Sequence, residues 1–378
     1  MKLVILTEII APYRIPVFNA LARLDGISLH VIFLSENDPG LRQWRVYKNE
    51  IQFSFEVLPS WRCRLGRYNI LVNRGVSRAL HKAAPDAILC GGYNYIASWQ
   101  ALRWSRRNRK PFLVWVESTA SDQRRGHSFV ESLKQRFLHR ASGFVVPGES
   151  SFEYVKSYGI SPETIFTAPN AVDVELFSKQ AAITRQDAVA RRVALGLPAR
   201  YFLFAGRLVR EKGVFDLLDA YGRLSAELRS AVGLVYVGDG MARTELQQGA
   251  TAIVPGTVLF PGFAHREELA SYYALSDMLV FPTHSDPWGL VVNEAMACGL
   301  PVIASSAAGC TADLVKNGSN GRVMQAENVE QLVSAMDELA TNTDLREQMG
   351  QRSRDRIAGY TPDICAAGIA KAVRGSSR

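Results

Sequence analysis

Short, fully apolar runs alternate with amphipathic stretches along the whole chain of 378 residues, and this alternation limits the folds that the chain can adopt. Short apolar runs are typical of strands in parallel sheets, which are buried on both faces. In the first half the predicted strands are Lys2–Thr7, Ser28–Leu34, Ala87–Cys90, Phe112–Val116, Gly143–Val146 and Thr164–Ala168. In the second half they are Tyr201–Ala205, Gly233–Val237, Val258–Phe260, Met278–Phe281 and Pro301–Ala304.

Helices are predicted between these strands, where apolar residues recur at helical spacing. In the first half they are Ile15–Leu24, Ile70–Ala83, Tyr95–Arg107, Phe129–Arg140 and Ser151–Tyr158. In the second half they are Val214–Leu224, Arg243–Gln248, Glu267–Ser276, Leu290–Ala297 and Val329–Ala340. Repeated strand–helix units predict an α/β fold with two Rossmann-like, doubly wound parallel-sheet domains facing a central cleft.

The length of the chain suits two domains, and its 47% apolar content is enough for two cores. We expect an N-terminal domain over residues 1–175 and a C-terminal domain over 176–360. The polar stretch Asp173–Ala199 is the predicted linker. Residues 361–378 are expected to form a C-terminal helix that packs back on the N-terminal domain.

Cysteine and histidine usage narrows the class of protein. The five cysteines have no CxxC spacing, which favours reduced thiols and a cytoplasmic protein. The six histidines form no metal-binding motif, so we expect no metal. We see no signal peptide and no apolar run of about 18 residues, so no membrane-spanning segment is expected.

The basic excess lies in the first half of the chain. Residues 1–180 carry a net charge of +9, whereas residues 181–378 carry −1, and the whole chain has +8. Such a surface attracts anionic lipid, nucleic acid or phosphate-bearing acceptors. The alternative is a solvated basic surface without a partner.

Two carboxylates surround a glycine turn in the second half. Asp286 precedes Trp288-Gly289-Leu290, and Glu294 follows inside the helix that these residues open. A helix that begins after a glycine turn offers unpaired N–H groups to an anion. The carboxylates suit hydroxyl groups instead, so the combination indicates a nucleotide-sugar. The alternative is an aspartate cap and a solvated glutamate.

The loop Gly206-Arg207-Leu-Val-Arg-Glu-Lys212-Gly213 follows a strand and opens a helix. Arg207 and Lys212 can both reach a diphosphate at that helix terminus; otherwise they are two surface cations. Two further strand ends carry candidate donor contacts. Gly238 suits a turn near a ligand or an ordinary turn, and Phe263 is either a ring beside a base or a core residue.

The first strand is followed by Glu8-Ile-Ile-Ala-Pro12-Tyr13-Arg14. This loop places Tyr13 and Arg14 at the mouth of the predicted cleft. They are candidates for the acceptor side of a site. The alternative is a loop with an exposed arginine.

The motifs of the second half resemble those of the retaining glycosyltransferases of family 4, which have the GT-B fold. The resemblance is carried by Gly206-Arg207-x4-Lys212-Gly213, by Asp286-Pro-Trp-Gly289 with Glu294-Ala-Met-Ala-Cys-Gly-Leu-Pro301, and by Pro169-Asn170-Ala-Val-Asp173. It implies that Arg207 and Lys212 bind the donor diphosphate and that Glu294 accepts hydrogen bonds from the ribose. It further implies that Asp286 lies against the transferred sugar and that the N–H groups of Gly289 and Leu290 face phosphate.

The chain departs from the family pattern after its fourth predicted strand, where many members place a histidine. Here the sequence is Glu117-Ser-Thr, and Glu117, Asp122 or His127 could take that polar position. A second departure is Asp286, which stands where glutamate is common. Asp313 also replaces a common glutamate near the sugar.

The resemblance implies a metal-independent, retaining hexosyltransferase with Arg207, Lys212 and Asp286 as catalytic residues. The donor would be a UDP- or GDP-linked sugar, and the acceptor a hydroxyl of a glycan or lipid-linked molecule in surface polysaccharide or glycolipid synthesis. We expect contact with an anionic membrane surface and no nucleic-acid partner. The alternatives are a nucleotide-sugar epimerase of the same architecture, a non-catalytic nucleotide-sugar-binding protein and, with least support, a dehydrogenase, for which no GxGxxG follows the first strand.

Overall fold

The structure, a computed structural model, describes residues 1–37, 45–65, 68–122 and 128–376. The chain forms two compact units. Unit 1 comprises Met1–Ala171 together with the segment that begins at Pro362, and unit 2 comprises Val172–Thr361. The chain therefore crosses from one unit to the other twice.

Unit 1 is built on a parallel sheet and a separate hairpin. Its strands are β1 (Lys2–Thr7), β2 (Ser28–Phe33), β3 (Ser54–Val57), β4 (Ser60–Leu65), β5 (Tyr68–Asn73), β6 (Ala87–Cys90), β7 (Phe112–Trp115), β8 (Gly143–Val146) and β9 (Ile165–Thr167). Seven of them form one parallel sheet in the order β3-β2-β1-β6-β7-β8-β9, and β4 pairs antiparallel with β5. The order reverses direction between β1 and β6, which opens a crevice at the carboxyl ends of these two strands.

Helices cover both faces of this sheet. They are α1 (Ile15–Arg23), α2 (Val76–Ala83), α3 (Ile96–Arg107), α4 (Ser128–Leu138) and α5 (Glu149–Lys156). A last helix of unit 1, Pro362–Gly375, is contributed from beyond unit 2 and is called the returning helix below. Alternate residues of β1 point to opposite cores: Val4 and Leu6 meet α2 to α5, whereas Leu3 and Ile5 meet α1 and the returning helix. This alternation explains why the strand is apolar from Leu3 to Leu6.

Unit 2 repeats the plan with six parallel strands. They are β10 (Tyr201–Ala205), β11 (Gly233–Val237), β12 (Val258–Gly262), β13 (Met278–Phe281), β14 (Val302–Ser305) and β15 (Gly321–Met324). Their order is β12-β11-β10-β13-β14-β15, so the direction reverses between β10 and β13. The carboxyl ends of β10 and β13 therefore flank the crevice where a doubly wound sheet binds its ligand.

The helices of unit 2 also cover both sheet faces. They are α6 (Val174–Gln186), α7 (Ala188–Leu195), α8 (Val214–Arg223), α9 (Ala226–Ala231), α10 (Arg243–Ala250), α11 (Arg266–Leu275), α12 (Leu290–Ala297), α13 (Thr311–Leu314), α14 (Val329–Thr341) and α15 (Thr343–Ile357). On β10, Tyr201 and Leu203 face α6, α11 and α12, whereas Phe202 and Phe204 face α8 and α14. Of the helices that the structure describes, none is long and apolar enough to cross a bilayer.

The predicted α/β fold with two doubly wound parallel sheets is confirmed. The predicted linker Asp173–Ala199 was wrong, because it forms α6 and α7, and α6 packs Phe177 and Ala181 into the core of unit 2. The crossing between the units lies instead at Ala171–Val172.

The predicted helix Ile70–Ala83 was wrong over its first part. Residues up to Asn73 belong to the β4–β5 hairpin, and α2 starts only after Gly75. Gly75 has a φ of 90°, in the left-handed region, so the backbone turns there between strand and helix. Strand β3 was missed because its residues are mostly exposed, so it has no continuous apolar run. Strand β15 was missed for a related reason, since Arg322 interrupts it.

Candidate functional site

Two glycines bring the loops after β10 and β11 into direct backbone contact. Gly206 has a φ of 147° and donates its N–H to the Val237 carbonyl at 3.0 Å. Gly238 has a φ of 140°, and a Cβ atom there would overlap the Gly206 carbonyl group. Because both positions require glycine, the backbone itself forms this wall of the crevice.

The loop after β10 contacts the loop after β13 through backbone packing and hydrogen bonds. Gly213, with a φ of 65°, ends a 3-10 turn (Arg210–Lys212) and packs against the Pro282 carbonyl without room for a Cβ atom. The ammonium group of Lys212 donates to the Ser285 carbonyl at 3.0 Å and to Asp286 Oδ2 at 2.6 Å. The side chains of Lys212 and Asp286 are only 12% and 19% exposed. An ammonium has three donors, so one remains for a ligand.

Asp286 organises the turn that precedes α12. Its Oδ1 accepts a hydrogen bond from the backbone N–H of Trp288 at 3.0 Å. Trp288 is buried and donates its indole N–H to Asn293 Oδ1 at 2.8 Å. The predicted donor contact Trp288 therefore supports the loop from inside the core of unit 2, whereas Asp286 is paired with Lys212.

The residue just before helix α12 is a glycine in the left-handed backbone conformation. Gly289 has a φ of 96°, and a Cβ atom there would lie 2.6 Å from the ring of Phe281. Helix α12 then starts at Leu290, so the first N–H groups of the helix have no intrahelical partner. The positive end of the helix dipole lies in the loop that holds Asp286.

Glu294 lies one turn into α12 and is half-buried. The buried Tyr273 donates its hydroxyl to Glu294 Oε2 at 2.8 Å. Burial raises the pKa of Glu294 to about 7, and the hydrogen bond from Tyr273 lowers it only in part. A carboxyl group with such a pKa titrates near neutral pH, which is common at binding sites.

Arg207 and Phe263 lie at exposed positions of the same unit. Within the described ranges, the Arg207 side chain forms no hydrogen bond or ion pair, although it follows Gly206 directly. Phe263 follows β12, is 42% exposed, and meets the ring of His265 edge-on at 5.1 Å. The core alternative for Phe263 is thus wrong, and its ring is available to a ligand.

In unit 1, two predicted acceptor-side residues contact each other. Arg14 Nη2 lies 2.5 Å from Glu117 Oε1, and Arg14 Nη1 donates to Asn170 Oδ1 at 3.2 Å. Asn170 in turn donates to Glu117 Oε1 at 2.8 Å, so these three side chains form a triangle of hydrogen bonds. The Arg14 guanidinium also lies 4.0 Å from the ring centre of Trp115 and 5.4 Å from that of Tyr13. Arg14 is therefore a largely buried, paired cation, and the exposed-arginine alternative is wrong.

This triangle borders a cavity of about 130 Å³ in unit 1. The cavity lies at the carboxyl ends of β1, β6 and β7, next to the reversal of strand order. Its polar wall consists of Thr7, Glu8, Tyr13, Arg14, Tyr95 and Glu117. No local sequence signal joins residues so far apart in the chain. His127, another candidate for the polar position, lies outside the described residues.

The two sheets with their strand-end loops define the GT-B architecture, and comparisons with known proteins agree. Residues 17–176 match Glycosyltransferase Family 4, and residues 188–356 match Glycosyl transferases group 1. The chain belongs to the family 4 glycosyltransferases.

Individual relatives share at most about a third of their residues with this chain over the matched parts. The D-inositol 3-phosphate glycosyltransferase of Streptomyces bingchenggensis is 30% identical over 249 residues, which are 61% of this chain and 52% of that protein. The chain thus spans about half the length of the curated relatives it matches. The structure of Anabaena HepE in complex with UDP and glucose superposes with a TM-score of 0.75 at 19% identity and covers 98% of both chains. The structure of sucrose-phosphate synthase from Thermosynechococcus elongatus superposes with a TM-score of 0.74 at 19% identity. The match covers 99% of this chain and 98% of that chain. At such identities the likeness concerns the fold.

Proposed function

We propose that this protein is a retaining glycosyltransferase. It transfers a sugar from a UDP- or GDP-linked donor to a hydroxyl group of a glycan or lipid-linked acceptor, in surface polysaccharide or glycolipid synthesis. The observation that carries the proposal is the contact between the two strand-end loops of unit 2. There Lys212 pairs with Asp286 beside the start of helix α12, in the unit that also holds Arg207, whose side chain has no partner among the described residues.

The chemistry of these groups fits a nucleotide-sugar part by part. Arg207 and the free donor of Lys212 suit the diphosphate, as does the N-terminus of α12. Glu294 suits the ribose hydroxyls, and the exposed ring of Phe263 suits the base. Relatives support the same donor class, since HepE structures are described with UDP and with UDP-glucose.

The proposed reaction uses no metal ion. The acceptor oxygen bonds to the anomeric carbon while the bond from that carbon to the diphosphate oxygen breaks, and the leaving phosphate oxygen takes the acceptor proton. Negative charge grows on the departing diphosphate. Arg207 and Lys212 stabilise that charge in the transition state.

Thermal-shift measurements with UDP, GDP and ADP in the absence of metal test the donor site. We expect one nucleotide to raise the Tm, because binding to the folded state alone stabilises it by about 2.7 kcal/mol at 100 times Kd. The Arg207→Ala/Lys212→Ala variant should lose this shift. A protein that no nucleotide stabilises, or a variant that keeps the full shift, would count against the proposal.

The acceptor would be held at the cytoplasmic face of an anionic membrane. Lys134 of α4 points inward, with its ammonium 4.7 Å from the ring centres of both Tyr154 and Tyr158. The outward side of α4 instead exposes Val130, Leu133 and Arg136. Apolar side chains beside a cation suit the interface of an anionic bilayer.

Flotation with vesicles tests this surface. The protein should bind phosphatidylglycerol vesicles and lose this binding in high salt. Phosphatidylcholine vesicles should bind little of the protein. Val130→Asp/Leu133→Asp should weaken binding at least about tenfold, because two apolar contacts become charges. Val189→Asp/Val193→Asp on α7 of unit 2 is the matched control, since both of these valines are exposed as well. Equal binding by both variants would refute the role of α4.

A further inference from the structure

The cavity of unit 1 has a charge arrangement that differs from the donor loops of unit 2. Its charged lining residues are Glu8, Arg14 and Glu117, so two carboxylates and one cation face it. Glu8 has its own partner, Arg62, with 3.6 Å between the charged groups. The cavity of about 130 Å³ has room for about four water molecules at roughly 30 Å³ each.

The one cation in this wall is already neutralised. Arg14 contacts the Glu117 carboxylate and the Asn170 amide, and its guanidinium carbon lies 4.0 Å from the centre of the Trp115 ring. Burial lowers the pKa of Arg14, but the neighbouring Glu117, Tyr13 and Cys365 together outweigh burial and the net shift is upward, so Arg14 stays charged. Arg207 in unit 2 is the opposite case, because it is exposed and has no side-chain partner among the described residues.

Glu117 retains one unused oxygen. Both hydrogen bonds that its carboxylate accepts from described residues, from Arg14 and Asn170, go to Oε1, and none goes to Oε2. The side chain is 39% exposed and lines the cavity. An ionised carboxylate only accepts hydrogen bonds, so its ligand must donate. A phosphate group would meet two carboxylates, each already paired with an arginine, and no unpaired cation among the described lining residues.

We infer that this cavity binds a neutral, hydroxyl-bearing ring, a sugar or cyclitol without phosphate, through Glu117 Oε2. Arg14 and Asn170 are positioning residues that fix the carboxylate. The inference rests on the proposed function in one respect, because it makes this ring the part of the acceptor that enters unit 1. Any phosphate of the acceptor lies outside the cavity.

Saturation-transfer NMR on the full chain tests the inference. The probes are D-glucose, D-galactose, D-mannose and myo-inositol, each compared with its monophosphate. We expect at least one neutral probe to bind at least about tenfold more tightly than its phosphate. The inference is overturned if no neutral probe binds, or if the phosphates bind as tightly as the neutral compounds.

Glu117→Gln gives a second, independent readout. The substitution keeps the shape of the side chain but uncovers the charge of Arg14, so neutral binding should fall about tenfold and the preference should move toward the phosphates. Glu153→Gln on α5 is the control, since Glu153 is an exposed surface residue paired with Lys156. A Glu117→Gln protein with unchanged preference contradicts the inference.

UDP and GDP stabilisation of the same samples separates the two proposals. If a nucleotide still raises the Tm but no neutral probe binds, the cavity assignment fails and the donor site stands. If neutral probes bind while no nucleotide does, the cavity assignment stands and the proposed transfer fails.

Discussion

Lys212→Ala is expected to lower the kcat of sugar transfer by about 10²–10³-fold, because a cation that faces the growing diphosphate charge contributes on that scale. The KM for the donor should change less, since the same cation acts more strongly in the transition state than in the ground state. The measurement is steady-state kinetics with the sugar donor whose nucleotide stabilises the protein. A variant that keeps a third or more of wild-type kcat would show that Lys212 does not stabilise the transition state.

Lys212 also neutralises Asp286, so its removal affects stability as well. The carboxylate would keep only the N–H of Trp288, at a cost of about 1–3 kcal/mol. Lys212→Ala/Asp286→Asn should recover much of that stability but no activity. Arg207→Ala, by contrast, should leave the free energy of unfolding within about 0.5 kcal/mol, because its exposed side chain has no partner among the described residues.

Glu294→Gln is expected to stabilise the ligand-free protein at pH 8 by about 1–3 kcal/mol and to have little effect near pH 4. Burial raises the pKa of Glu294 to about 7 in the folded chain, above its value near 4.3 in an unfolded one. The folded state therefore binds the proton more tightly. The stability that Glu294 contributes is present below about pH 4.3 and is lost as pH rises through about 7. Thermal unfolding between pH 4 and pH 8 measures the difference.

The same titration should make nucleotide affinity depend on pH. Ribose hydroxyls donate to the ionised carboxylate, so affinity should rise several-fold between pH 6 and pH 8 in the wild type. Glu294→Gln should flatten this rise, whereas Glu347→Gln, at an exposed position of α15, should keep it. Calorimetric titration at three pH values compares the proteins. A steep rise that persists in Glu294→Gln would assign the titration to another group.

Much of the fold could be predicted because buried parallel strands leave a strong local signal. Strands such as Lys2–Thr7 and Tyr201–Ala205 were predicted to the residue, since all of their inner positions are apolar. The β4–β5 hairpin was missed because its inner face alone is buried, with Leu71 in the core and the neighbouring Trp61 exposed. Local pattern also could not show that the polar segment after Asp173 uses a few apolar residues to build a core helix.

For the candidate site too, some features could be predicted from the sequence and others could not. Glycines and charges at strand ends, such as Gly206 and Asp286, stand out in the sequence because turns and helix starts need them. Their partners do not, since contact between Lys212 and Asp286 joins positions 74 residues apart. The pairing of Arg14 with Glu117 is likewise set by the sheet order, which brings the ends of β1 and β7 to one edge. The burial of Glu294 against Tyr273 is also a product of packing.

The returning helix, Pro362–Gly375, has a consequence for biosynthesis. It supplies Cys365, Ile369 and Val373 to one of the two cores of unit 1, although it is translated after the whole of unit 2. Domains usually mature in the order in which the ribosome releases them. Here unit 2, a continuous segment, is complete while one face of the first-made sheet is covered by α1 without the returning helix. The nascent unit 1 thus exposes an apolar surface throughout the synthesis of its neighbour, and this interval is when a chaperone would be needed.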